Sequence, residues 1–254
     1  MRPIGRHYGW AVVGPDPIFA NPRLAAIYDV FDGDRDDLDL YETIVAECGA
    51  RTVIDVGCGT GELATRLARR GLSVTAVDPA LASLDVARTK PGADRVTWLH
   101  GTAHDLPDLA ADLVTMTANV AQVFVEERDW LDNLRQIRRV LATDGLLVFE
   151  ARDPSRRAWE RWIPALTTRR LELEGEGAVE GWTELVAVDL PLVHFRHHYR
   201  FEVDGEVLVS DSQLCFRSRT AIEQSLVDVG FDVVEVRDAP DRPGLEFVFV
   251  CRRR

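Results

Sequence analysis

The stretch Asp55-Val56-Gly57-Cys58-Gly59-Thr60-Gly61 constrains this chain most. It joins a short apolar run, Val53-Ile54-Asp55-Val56, to a segment with Leu63, Ala64, Leu67 and Ala68 at helical spacing. The run reads as a buried parallel strand, and the spacing behind it as an amphipathic helix stopped by Gly71. Three glycines at alternate positions permit a tight turn and let a ligand approach the backbone closely. The helix start behind them offers N–H groups with no partner inside the helix.

The same rhythm repeats along the chain. Strands are predicted at 73–77, 96–99, 112–116 and 146–149, with helices at 81–88 and 128–141 between them. Strand and helix in alternation signal a doubly wound parallel sheet. Two closing strands at 231–236 and 246–250 complete an α/β fold with a mostly parallel seven-stranded sheet. Upstream, the first 20 residues, rich in Gly and Pro, read as irregular. Asn21 is then set to cap a helix with Pro22 at its first position and Leu24, Ala25, Ile27 and Tyr28 on one stripe. An acidic break at 32–37 precedes a second helix at 38–47.

After Arg152 the rhythm breaks into antiparallel strands. Segments 194–203 and 206–217 flank Asp204-Gly205, a two-residue hairpin signal. That turn pairs Phe201 with Leu208, Phe195 with Leu214 and Val193 with Phe216 on one face. The other face carries His194, Arg196, His198, Arg200 and Glu202, with Asp211 opposite His198. Thr220 and Glu223 then form the pattern of a capping box, and Gly230 ends that helix. The expected organisation is an N-terminal helical cover (1–50), a ligand-binding core (51–152), an inserted antiparallel β segment (153–217) and closing elements of the core sheet (218–254).

Charge narrows the partners. Asp and Glu number 42 against 30 Lys and Arg, a net charge of −12. Such a field repels phosphate backbones, which proteins bind through Lys and Arg, so nucleic acid is not the expected partner. Lys90 is the only lysine. No run of about 18 apolar residues marks a transmembrane helix, and the opening residues lack the apolar stretch of a signal peptide. Cys48, Cys58, Cys215 and Cys251 show no C-x-x-C spacing. The expected compartment is therefore reducing and cytoplasmic.

A nicotinamide fingerprint wants its third glycine at position 62, where this chain has Glu62. An acid there also shares the positive pole of the helix with any pyrophosphate. Asp55, at a strand end, suits a cationic or amino group. Asp78 ends the second strand, where doubly wound folds carry a ribose-binding acid. Asp55-x-Gly57-x-Gly59-x-Gly61 followed by Asp78 resembles the class I (Rossmann-like) S-adenosylmethionine-dependent methyltransferases.

The resemblance covers residues 24–150 and, more loosely, 218–254. It implies a cofactor site of Tyr28, Asp55, Gly57, Cys58, Gly59, Gly61, Asp78, Pro79, Thr102, Ala103 and Asn119. The glycine loop wraps the methionine end, Asp78 holds the ribose, and the loop at 101–105 encloses adenine. Many relatives carry an acid in the slot of Thr102, for which Asp105 is a substitute or simply a solvated acid. Plainer roles stand beside these: Asp78 as a turn acid before Pro79, Tyr28 as packing, and Cys58 as a small filler.

The resemblance implies direct in-line methyl transfer to an N or O nucleophile of a small molecule, giving S-adenosylhomocysteine. Thr117-Ala118-Asn119-Val120 stands where base-methylating relatives carry a D/N-P-P-Y-like segment, and no Pro-Cys pair occurs. The insert is expected to be a substrate cover or a subunit interface, the latter making a homo-oligomer. His198, oriented by Asp211, is the one candidate for a catalytic base. On a strand His197 points away from His194 and His198, so no metal site is expected. Two other readings stay open: a non-catalytic S-adenosylmethionine-binding module and a nicotinamide-dependent oxidoreductase.

Overall fold

A computed structural model describes residues 14–254. The irregular reading of residues 1–13 lies outside the described residues. Within the rest of the first 20, α1 (Pro17–Ala20) makes one helical turn, because Pro17 presets the first helical torsion and the Asp16 carbonyl accepts the N–H groups of Phe19 and Ala20. In α2 (Pro22–Asp32) the Asn21 side chain accepts from the N–H groups of Arg23 and Leu24. Helix α3 (Asp37–Cys48) follows the acidic break.

The core alternates β1 (Thr52–Val56), α4 (Glu62–Arg69), β2 (Ser73–Asp78), α5 (Leu81–Ala87), β3 (Val96–His100), β4 (Ala111–Met116), α6 (Glu127–Val140) and β5 (Leu141–Arg152). A single turn, α7 (Pro164–Thr167), leads into β6 (Arg169–Leu173), β7 (Gly177–Asp189), β8 (Leu192–Phe201) and β9 (Val207–Cys215). The chain closes with α8 (Arg219–Val229), β10 (Phe231–Asp238) and β11 (Glu246–Arg253).

Seven strands form one sheet in the order β10-β11-β5-β4-β1-β2-β3. Strands β1 to β5 run parallel, and β11 pairs antiparallel with both β5 and β10. Side chains alternate across the sheet. Ile54 and Val56 pack with Trp130, Leu134 and Ile137 of α6 and Leu226 of α8. Val53 packs on the other face with Leu38 and Tyr41 of α3 and Leu63 and Leu67 of α4. From β1 the chain winds outward through β2 and β3, then returns to β4 on the other side. In open sheets a crevice opens at such a reversal, beyond the carboxyl ends of the strands.

The other four strands form a separate antiparallel sheet, β6-β7-β8-β9. Its register differs from the expected one by two residues. Tyr199, not Phe201, faces Leu208; Val193 faces Leu214; and Asp211 lies opposite Arg196, not His198. The two-residue turn needs positive φ at both Asp204 and Gly205, and only Gly205 has it, at +75°. The Asp204 carboxylate instead accepts the N–H of Glu206, and Phe201 N–H donates to the Glu206 carbonyl, closing a four-residue loop. A slip of two preserves which side chains share a face. Helix α8 is capped by Ser218, whose hydroxyl accepts from Ala221 N–H, and not by Thr220. Ser218 holds the extended torsion of a cap, whereas Thr220 lies inside the helix beside Arg219, which pairs with Glu223.

Candidate cofactor and acceptor site

The glycine loop follows β1 at the sheet reversal, and its three glycines meet different demands. A Cβ added at Gly57 would stand 2.6 Å from a Val120 methyl, and one at Gly61 2.4 Å from the Trp98 ring. At Gly59 nothing lies within 4 Å, and the left-handed torsion, φ +53°, is the sole constraint. Gly59 is thus the loop position whose open side a ligand can approach. Cys58 between them is buried in the core, and burial raises its thiol pKa, as suits a filler.

Asp78 ends β2 with one carboxylate oxygen accepting Gly59 N–H at 2.8 Å and the other accepting Ala80 N–H at 2.8 Å. It is therefore both a turn acid and the brace of the glycine loop. A carboxylate has further lone pairs for a ligand hydroxyl. Asp55 is 1% exposed and accepts the Thr115 hydroxyl at 2.8 Å. Burial pushes its pKa up to about 6. A desolvated acid of this kind suits a cationic partner. The open face at Gly59 and the two buried acids fit the amino acid and ribose parts of S-adenosylmethionine.

In the loop after β3, Asp105 accepts the N–H of Thr102 at 2.8 Å while Thr102 caps the turn begun by buried Ala103. Asp105 thus closes the turn and does not stand free in the slot of the missing acid. Pro79 is exposed beside it, with its carbonyl 3.0 Å from His100 Nε2. Helix α2 is latched over the glycine loop from the other side. Thr60 donates to Asp29, and Lys90 bridges Asp29 at 2.6 Å and Glu62 at 3.1 Å.

Past β4 the chain turns through Ala118 and Asn119, both left-handed at φ +55° and +61°. Two such residues in succession store strain that clusters at functional sites. Asn119 and Tyr28 both line a cavity of about 250 Å³. Its walls come from α2, the 33–36 link, α3, the ends of β4 and β5, β11 and the link before it. Seven carboxylates and three guanidinium groups line it.

The sequence reading missed the acids at its base. Glu150 is 5% exposed near the end of β5, accepts Asn119 N–H at 2.7 Å, and has its pKa pushed up to about 8 by burial and then by Glu246. Glu246 accepts Arg242 at 2.8 Å and the Asn119 amide at 3.4 Å. The signal for Glu150 was present: one acid at the carboxyl end of an otherwise apolar strand, the pattern that singled out Asp55 and Asp78.

His198 is not brought to this site. It stays on the inserted sheet, stacked on Trp182 at 4.9 Å, with Nε2 3.1 Å from Glu184. Asp211 cannot orient it, because the register gives Asp211 to Arg196 at 2.6 Å and His194 at 3.1 Å. The insert contributes no lining residue to the cavity among the described residues. Its inner face, with Val179, Tyr199 and Phe201, packs against Ile18 of α1 and Leu24 and Ile27 of α2.

A family profile described as a methyltransferase domain matches residues 53–145. An uncharacterized methyltransferase of Mycobacterium tuberculosis is 41% identical over 127 residues, 47% of this chain and 48% of that protein. The chain spans about half the length of the curated relatives it matches. An S-adenosylmethionine-dependent methyltransferase of Clostridium acetobutylicum superposes with a TM-score of 0.72 at 17% identity, covering 91% of this chain and 98% of that one. An amino pentose methyltransferase of Micromonospora echinaspora, solved with S-adenosylmethionine bound, gives a TM-score of 0.69 at 21% identity over 90% and 95%. At these identities the structures establish a shared fold. No helix among the described residues is long and apolar enough to cross a membrane.

Proposed function

We propose, from the premise that this chain belongs to the class I S-adenosylmethionine-dependent methyltransferases, that it methylates an N or O nucleophile of a small molecule and releases S-adenosylhomocysteine. The observation that carries this reading is the position of the 250 Å³ cavity, which shares Tyr28 and Asn119 with the expected cofactor set. A volume just below the usual range for drug-sized ligands suits a compact acceptor. Its charged walls suit a polar one. The amino pentose acceptor named for the Micromonospora enzyme is of this kind.

S-adenosylmethionine supplies a methyl carbon already activated on a sulfonium. The work left to the chain is binding and alignment. The glycine loop and Asp78 hold the nucleoside side, and Asp55 faces the charged amino acid end. Helix α2 covers the site and brings Tyr28 to the cavity. Orientation of a bound acceptor against the methyl carbon replaces a bimolecular encounter by a near-unimolecular one. We assign the N-terminal helices to a cover over this site and the inserted sheet to a support that holds the cover. The acidic net charge of −12 favours a small partner over nucleic acid.

The test is thermal unfolding with S-adenosylhomocysteine, NAD and buffer. Ligand at about 100 times its Kd adds about 2.7 kcal/mol, roughly 5–10 °C for a domain of this size. The expected result is a shift with S-adenosylhomocysteine alone. A shift with NAD instead, or none at millimolar S-adenosylhomocysteine, sinks the assignment.

A further inference from the structure

The cavity is unbalanced in a way that identifies its occupant. Each of its three guanidinium groups already has an acid. Arg35 binds Asp37 through two 2.8 Å hydrogen bonds, and Arg242 and Arg152 lie 2.8 and 3.5 Å from Glu246. Among the described residues no ion pair reaches Glu150. Its hydrogen bond is the Asn119 N–H, although it is nearly enclosed. Acids this buried are almost always paired. The Asn119 side chain, 2% exposed on the same wall, has its Oδ1 buried without a donor. Such an unsatisfied group costs about 1–3 kcal/mol. A buried acid without an ion-pair partner and an amide oxygen without a donor, both on the wall of one cavity, call for a ligand that brings several N–H donors and a positive charge.

We propose that the methyl acceptor is an amine, bound as its ammonium ion between Glu150 and Asn119 Oδ1, and that Glu150 is the catalytic base that removes its proton. The inference rests on the methyltransferase reading and selects nitrogen over oxygen. An ammonium offers three donors and a charge, whereas a hydroxyl offers one donor and none. The step balances. The ammonium N–H bond breaks, its electron pair stays on nitrogen and its proton passes to the Glu150 carboxylate. The freed pair forms the N–C bond while the C–S pair remains on sulfur. The product leaves as a methylated ammonium, and Glu150 returns its proton to water.

The surroundings suit the task. Glu246 on β11 and Asp37 on α3 raise the Glu150 pKa, while Arg242 and the Asn119 N–H lower it. Arg152 on β5 also faces it. In the chain by itself burial outweighs the rest and pushes the pKa up to about 8, and a bound ammonium would stabilise the carboxylate, the form that accepts the proton. Glu246 is held by Arg242 and Arg152, so Glu150 is the acid of the pair left to exchange protons.

The test uses the full chain loaded with S-adenosylhomocysteine and reads binding, not turnover. Small primary amines (methylammonium, amino sugars, amino acid amides) are compared at millimolar concentration with their hydroxyl counterparts by thermal unfolding and calorimetry. Amines are expected to raise Tm and their hydroxyl counterparts not to. Glu150→Gln is expected to weaken amine binding at least about tenfold, the equivalent of 1.4 kcal/mol, while keeping the S-adenosylhomocysteine shift that proves it folded. In wild type, an infrared carboxyl band absent from Glu150→Gln is expected at pH 7 and to vanish on amine binding. Equal shifts with hydroxyl compounds, a panel without effect, unchanged binding by Glu150→Gln, or a Glu150-dependent shift with magnesium chloride alone overturns the inference. Loss of the S-adenosylhomocysteine shift in wild type itself is the separate outcome that removes the methyltransferase reading.

Discussion

A methyl group added at Gly59 meets open space, and one added at Gly61 meets the Trp98 ring and the Ala87 methyl. Both glycines are left-handed, so alanine at either carries roughly 1–2 kcal/mol of backbone strain. Gly61→Ala adds a packing clash, worth about 1–3 kcal/mol more. The expected outcome is that Gly59→Ala folds with a small Tm loss but no longer binds S-adenosylhomocysteine. Gly61→Ala loses its stability first. Urea unfolding beside calorimetry separates the two, and equal loss of binding at equal stability would remove the special role of Gly59. Asp78→Ala is expected to weaken S-adenosylhomocysteine binding by roughly 1.5–3 kcal/mol, the range for hydrogen bonds to a charged group. Unchanged affinity in calorimetry would leave Asp78 as a turn acid only. Glu150 predicts the pH dependence of stability. Its pKa is raised from 4.5 to about 8 on folding. Between those limits the unfolded chain has lost the proton that the folded chain keeps, so stability falls as pH rises. Glu150→Gln has no such proton. Its stability relative to wild type is expected to grow from pH 5 to pH 8 and then level off. A flat difference in urea unfolding across that range would place the Glu150 pKa near the ordinary value.

Elements, more than residues, decide how the site is assembled. Helix α2 is tied to the glycine loop by Asp29, Thr60 and Lys90, the chain's only lysine. Lys90→Met is expected to speed hydrogen exchange over α2 while β1 and β4 stay protected. Uniform exchange across all three would show that the latch is not local. The strand and helix pattern of the core was legible because each element carries its own periodicity: Val53 and Ile54 serve opposite faces of one sheet, as alternation requires. The glycine loop was legible for the same local reason. The hairpin register was not, because it depends on the torsion of Asp204, which the sequence pair Asp-Gly leaves undetermined. The cavity was least legible. Tyr28, Asn119, Glu150 and Glu246 come from four distant segments, and only the sheet order, with β11 inserted beside β5, brings them together.

At the scale of the whole molecule, the inserted sheet packs on α1 and α2 and also meets the core directly, where Gln122 donates to the Cys215 carbonyl and Arg217 to the Phe124 carbonyl. The core sheet carries the glycine loop, and the inserted sheet packs on α2 and, among the described residues, contributes none to the cavity wall. Arg23 is the main polar tie. It binds Glu176 at 2.6 Å and Asp204 at 2.8 Å, reaches Glu206, and lies 3.6 Å from the Phe201 ring centroid. Such half-exposed ion pairs contribute under about 1 kcal/mol each, so Arg23→Ala should change global stability little. Its effect should appear in the division of binding. The glycine loop and Asp78 belong to the core sheet, and S-adenosylhomocysteine affinity is expected to hold. The cavity wall includes Tyr28, Asp32 and Arg35. That wall depends on where α2 sits, so acceptor affinity is expected to fall severalfold. Calorimetry with the two ligands in turn reads the difference. Equal weakening of both would mean that cover and core move as one body, and no weakening of either would mean that the apolar contacts of Ile18, Leu24 and Ile27 with the insert already fix the cover.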